Sequence, residues 1–274
     1  VIAFVFGNLY KFSFFSPEVR VSALDIAVFS LTLLALPLNL KKYQRLVLPI
    51  TAFFTVGLIS LILALPAYGW TAIFVGSMYL ARWVVYSLFF ASIIQLIKPR
   101  HIVHILYSIG IITAVLSIAQ YLLFPDIRAL TVAEWDPHYF RVVGTFLDPG
   151  FTGLVLVFTL IFFTLRNHKF LWVLAYIPFA LTYSRSSYAA FLVSMAYISW
   201  RRKSLKFLLF VVILFFTTLY VLPRSPGGEG VDLERTSSIQ ARIDSWTTAW
   251  RIFTKAPIFG VGFKRRLVLR LSTK

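Results

Sequence analysis

Eight apolar stretches, at 21–38, 46–65, 72–97, 102–124, 151–165, 170–183, 188–200 and 207–222, constrain this chain more than any other feature. A helix rises about 1.5 Å per residue, so about 20 apolar residues cross a hydrocarbon core of roughly 30 Å. A soluble domain would dilute such stretches with charge. Here 59% of the residues are hydrophobic and 14% are charged, against about 45–50% and 25% in soluble domains. Disorder and a disulfide framework are excluded too, because the chain is too apolar for the first and has no cysteine for the second. The expected fold is an all-α membrane protein, a multi-span helical bundle. Residues 1–15 read as the end of an earlier hydrophobic segment, lacking the n-region and cleavage site of a signal peptide.

A formal charge of +17 would suggest nucleic acid in a soluble protein, but in a membrane chain the location of the charges matters more. Basic clusters occupy alternate junctions: Lys41, Lys42 and Arg45; Lys98 and Arg100; Arg166 and Lys169; then Arg201, Arg202, Lys203 and Lys206. These loops carry no Asp or Glu and are assigned to the cytoplasm. The acids all fall at the opposite side or at that end of a span, so the polar chemistry is expected outside. Residues 1–222 form the expected bundle. Residues 223–274 form an outer loop with a helix and a basic tail.

The stretches 170–183 and 188–200 lie between two cytoplasmic clusters, so the chain must go out and return. Each arm has about 15 residues, roughly 22 Å of helix, which is short for a crossing. The turn Ser184-Arg185-Ser186-Ser187 is therefore expected below the outer surface, shielded by protein or facing a wet cavity. Broken helices of this kind often mark a binding site. The alternative is that Arg185 snorkels to the headgroups and only caps a hairpin.

Two outer segments are long enough to build a site. The first, 125–150, contains Glu134, Asp136, His138 and Arg141, then Gly144 and Pro149-Gly150, which return the chain to the membrane as a folded-back loop. In the second, Ser237 and Gln240 give a capping-box signal, and Ile239, Ile243, Trp246, Trp250 and Phe253 follow at helical spacing. Arg82, about ten residues into its span, is a costly charge that faces either a cavity or a helix partner. With Arg82, Arg141, Arg185 and Arg242 in the outer half, a diphosphate at the membrane surface is a coherent ligand, because the guanidinium fork donates bidentately and stays charged. His138, Glu134 and Asp136 are the candidate bases. They match no strong metal motif, so no metal is expected. No phosphate loop, nucleophile elbow or zinc-protease motif is present, and no cofactor or nucleic-acid partner is expected.

Three segments in order resemble the bacterial O-antigen ligase and O-antigen polymerase superfamily. They are Arg141-Val-Val-Gly144-Thr145-Phe146 with Asp148-Pro149; Leu181-Thr182-Tyr183-Ser184-Arg185-Ser186; and Ser238-Ile239-Gln240-Ala241-Arg242 with Trp246, Ala249, Pro257, Gly260, Gly262 and Phe263. The resemblance implies a membrane glycosyltransferase of the inverting type in the bacterial inner membrane, with periplasmic loops over its site. Its donor would be a polyprenyl-diphosphate-linked glycan. Its acceptor would be a lipid A core sugar in a ligase, or a second lipid-linked glycan in a polymerase. Arg141, Arg185 and Arg242 inherit donor binding by position in the motifs.

The sequence departs from the family pattern at Gly150, where Asn is usual, and after Phe263, where a His-Asn motif and further spans are expected. A form ending at Lys274 reads as truncated and is expected to have little transferase activity. The competing reading is a transporter or flippase for an envelope lipid or anion, with the pair around Arg185 as its gate. It would require two similar halves, and no convincing internal repeat is visible.

Overall fold

The computed structural model describes residues 1–7, 9–13, 20–35, 44–128, 138–222 and 237–262. The protein is mostly helical. Among the described residues α1 spans Ile2–Phe6, α2 Ala23–Ala35, α3 Gln44–Leu96, α4 Pro99–Leu123, α5 Pro149–Leu165, α6 Lys169–Ala180, α7 Arg185–Arg201, α8 Leu205–Val221 and α9 Ser237–Lys255. Two of them, α3 and α4, are long and apolar enough to cross a membrane. The chain divides into two compact units, Val1–Leu9 with Arg100–Arg235, and Tyr10–Pro99 with Thr236–Lys274.

In the first unit, α5 packs against α6 and α7, and α7 against α8. Local chemistry starts these helices. Asp148 caps α5 by accepting from the Phe151 N–H at 2.6 Å, with Pro149 at the first helical position, where its missing N–H costs nothing. Ser184 and Ser204 cap α7 and α8 in the same way. The core contains Leu156, Phe163, Phe179, Phe191, Met195 and Phe215. Phe158, Phe170 and Tyr220 point outward instead, at 70%, 80% and 86% exposure, so the outer faces of α5, α6 and α8 are apolar.

In the second unit, α3 contains Gly69 at φ 75°, a conformation open to glycine and not to a helical residue. The break separates arms 44–68 and 70–96, matching the two stretches expected there. The arms fold back on each other, with the Phe53 and Trp83 rings 4.3 Å apart. A Cβ on Gly57 would come within 2.9 Å of Leu80 Cδ1, so the two arms are in close contact at that glycine.

Two expectations are corrected. The protein is not purely helical: Lys11–Ser13 and Arg20–Ser22 pair antiparallel ahead of α2, where 1–15 read as the end of a hydrophobic segment. Ser22 and Asp25 cap α2 reciprocally and end the second strand there. The pair α6–α7 is also unequal. Helix α6 has 12 residues and α7 has 17, because Ser184 captures the Ser187 N–H and draws Arg185, Ser186 and Ser187 into the first turn of α7. The break is Leu181 to Ser184, and Arg185 stands on the helix, not in the turn.

Candidate functional site at the broken helix pair

The break is held from outside by the segment that follows the 125–140 loop. Val142 N–H donates to the Leu181 carbonyl at 2.9 Å. The buried guanidinium of Arg141 then donates through Nε to the Thr182 carbonyl and through Nη2 to the Tyr183 carbonyl, the latter at 3.0 Å. A helix that stops inside protein leaves its last carbonyls without partners, and Arg141 supplies donors for two carbonyls at this stop. Tyr183 passes through the break at φ 49°, almost fully buried. Such backbone persists only where its surroundings over-determine it.

The next residues bring two helix starts together. Ser187 Oγ donates to the Gly150 carbonyl at 3.2 Å and to Ser184 Oγ at 2.9 Å. A Cβ on Gly153 would sit 2.4 Å from Ser187 Oγ, so α5 and α7 approach this closely only because that Cβ is absent. The N-termini of α5 and α7 are therefore neighbours, and both carry the positive end of a helix dipole. Asp148 answers the one at α5. At α7, Arg185 is the first residue and is half-buried, while Ser186 beside it is exposed. Backbone N–H groups, hydroxyls and a guanidinium at a helix start form an arrangement suited to phosphate oxygens.

From α4, Gln120 completes the scaffold, its Oε1 accepting from Val143 N–H at 2.9 Å and Gly144 N–H at 3.3 Å. Gly144 turns at φ 58°, where a Cβ would meet Ser117 Oγ at 3.0 Å. Gln120 is the supporting residue that sequence reasoning missed, while Thr182 and Ser187 lay inside segments already singled out, without a structural role assigned to them. The Ser184-x-x-Ser187 spacing is the capping signal that could have placed Ser187.

The other candidates lie elsewhere. His138 gives its backbone carbonyl to Ile127 N–H at 3.1 Å, while Phe140 N–H donates to Pro125 at 2.9 Å, so the ends of the 125–140 loop are stitched together. Asp126 and Arg128 form a 2.7 Å ion pair there, with Arg128 over the Tyr139 ring. Hydrogen bonds from Arg128 hold the Asp126 carboxyl down at about 2. Glu134 and Asp136 fall outside the described residues, as do the basic tail and the loop 223–236. The Ser237 side chain that would close the capping box also lies outside them. Among the described residues, no group of three His, Asp or Glu is placed to hold a metal.

Arg82 and Arg242 belong to the second unit. Arg82 pairs with Asp25 at 3.1 Å and donates to the Arg20 carbonyl, and Tyr86 donates to the same carboxylate at 3.0 Å. Its charge is thus answered by a helix partner. Arg242 is exposed on α9, whose Ile239, Trp246, Trp250 and Phe253 are exposed as well. The turn after α9 is anchored where Gly262 N–H meets Ser60 Oγ at 3.2 Å.

Residues 170–272 match the family of O-antigen ligases. The resemblance carried by the Ser184-Arg185 and Arg242 motifs holds over that part of the chain, from α6 through α9, and supports glycan transfer of the ligase and polymerase type. Arg141 and its segment precede the matched region. No curated protein and no solved structure matches the chain.

Proposed function

We propose that this chain carries out envelope glycan transfer from a polyprenyl-diphosphate-linked donor at the periplasmic face of the bacterial inner membrane. The acceptor is a lipid A core sugar or a second lipid-linked glycan. The observation that carries the reading is Arg185 at the start of α7, inside the segment that matches O-antigen ligases. The apolar outer faces of α5, α6 and α8 support a multi-span bundle over 1–222, since contiguous apolar surface of that extent is rare in water. In this reading the basic turns face the cytoplasm, and the break and the outer loops face the periplasm.

The chemistry follows from charge. An acceptor hydroxyl oxygen bonds to the anomeric carbon, the bond from that carbon to the donor diphosphate breaks, and the diphosphate leaves with the electron pair. Arg185 and the α7 N-terminus stabilise the negative charge that grows on it. The hydroxyl proton passes to a base, for which His138, Glu134 and Asp136 remain the candidates. Arg141 belongs to the same donor site. Arg242 carries donor binding as a separate proposal, on its motif. Arg82 is proposed as the least important of the set, because Asp25 already answers its charge.

The test is transfer from a polyprenyl-diphosphate glycan in membranes containing a version that continues past Phe263 through the His-Asn motif and the further spans of the family pattern. Arg185→Ala is expected to lower turnover by about 10²-fold or more, a magnitude ordinary for losing one preorganised group facing developing charge. Arg185→Lys should recover little, because it keeps the charge and loses the fork. Full turnover in the Ala variant would contradict the assignment.

A further inference from the structure

The opposite end of the first unit carries a second feature that glycan transfer does not use. The turn from α5 to α6 runs Arg166-Asn167-His168 and that from α7 to α8 runs Arg202-Lys203-Ser204, each through a left-handed residue, Asn167 at φ 59° and Lys203 at φ 51°. They are braced together. Arg202 Nη2 donates to the Thr164 carbonyl at 2.8 Å, and Trp172 Nε1 donates to Thr164 Oγ1 at 2.9 Å.

Beside this brace is a cavity of about 560 Å³, within the size range of small-ligand sites. Its walls are aromatic and aliphatic, including Trp172, Tyr176, Phe207 and Leu214. Its polar lining gathers at the two turns, as Asn167, His168, Lys169 and Arg202. A cavity that is apolar along the helices and cationic at the turns fits an amphiphile with an anionic head.

Two further facts select an anion from outside the chain. Residues 151–222 contain no Asp or Glu, so this bundle has no acid of its own to answer Lys169, Arg202, Lys203 or Lys206. Helix α6 also starts the wrong way for its dipole: His168 gives it no side-chain cap, and Lys169 puts a cation at the positive end. An anion at the mouth would satisfy the uncapped N–H groups and the lysine together. The positive-inside tendency accounts for basic turns, but it requires neither a cavity nor an uncapped helix start.

The geometry points to a binding site for one anionic glycerophospholipid, with an acyl chain between α6 and α8 and its phosphate at Lys169, Arg202 and the start of α6. Basic pockets between membrane helices on the cytoplasmic side hold anionic headgroups by this chemistry. The site rests on the membrane reading above and is independent of glycan transfer.

The test is native mass spectrometry of the purified protein in detergent, incubated with phosphatidylglycerol and phosphatidylcholine of identical chains. One phosphatidylglycerol per chain should be retained in preference. Lys169→Gln should lower that preference about fivefold, the effect of one cation near an anionic surface. Val173→Trp, at an exposed position of the cavity wall, leaves every charge in place and should abolish retention of both lipids. Unchanged helicity and melting temperature would confirm that both variants fold. Arg185→Ala should leave lipid retention intact, so failure of the donor site and failure of this site are distinguishable. Equal retention of the two lipids, or a preference unaltered in both variants, would overturn the proposal. Displacement of phosphatidylglycerol by polyprenyl phosphate from the same cavity would overturn the phospholipid assignment.

Discussion

Two arginines, Arg82 in the second unit and Arg141 in the first, both donate from the guanidinium to backbone carbonyls, and their described bonds give them different roles. Arg82 also has a carboxylate, Asp25, at 3.1 Å. The described bonds of Arg141 go to the carbonyls of Thr182 and Tyr183. The first arginine is therefore locally neutralised and works as a helix fastener, while the second fastens the backbone of the break that leads into α7, where Arg185 stands.

The largest stability effect should come from Arg141. Arg141→Ala removes the described donors to two carbonyls at a buried break, and losing the partner of a buried group costs about 1–3 kcal/mol. A loss of about 2–4 kcal/mol is expected in thermal or denaturant unfolding. Donor binding should fall with it, because the backbone before Arg185 is no longer fixed. Arg141→Lys should restore only part of the stability, since an ammonium lacks the planar fork that reaches both carbonyls.

A smaller effect is expected at the neutralised arginine. Arg82→Gln should cost about 1–2 kcal/mol, a modest value because the Arg82 side chain is a third exposed and solvent screens it. Replacing Arg82 and Asp25 together with apolar residues should recover most of that loss, as removing both members of a pair leaves no orphaned charge. Donor binding should hardly change. If it fell as far as in an Arg185 variant, the contrast between the two arginines would be wrong.

The smallest effect lies in the stitched loop. Asp126 is held at about 2 by Arg128, well below its ordinary value. A carboxyl depressed in the folded state contributes above its unfolded value, near 4, and that contribution is lost as pH falls towards 2. A carbon-13 titration of the Asp126 carboxyl should give that low midpoint, and Arg128→Ala should return it to the ordinary range.

The sequence showed some of this and hid the rest for identifiable reasons. Apolar runs are local signals, so the two arms of α3 on either side of Gly69, and α4, α5, α6 and α8, overlap the stretches expected there. The start of α7 was misplaced by a few residues because Ser184 serves equally as a turn residue and as a cap. Only the tertiary fold decides between them. Arg141, Thr182 and Tyr183 were all within motifs already singled out, but their bonds join residues 41 and 42 positions apart, beyond any periodicity. Asp25 carried a legible signal that went unused: Ser22-x-x-Asp25 is a reciprocal cap, and a capping acid at a helix start is a ready partner for an arginine such as Arg82.

The central claim is that Arg185 and the start of α7 recognise a diphosphate. It is tested most directly by titrating polyprenyl diphosphate, and separately polyprenyl alcohol, into the purified protein in detergent and measuring binding by calorimetry. Wild type should bind the diphosphate and discriminate against the alcohol. Arg185→Ala should weaken diphosphate binding by about 10–100-fold, the magnitude of one or two charge-assisted hydrogen bonds, and leave the alcohol unaffected. Equal affinity of wild type and Arg185→Ala for the diphosphate would contradict the account.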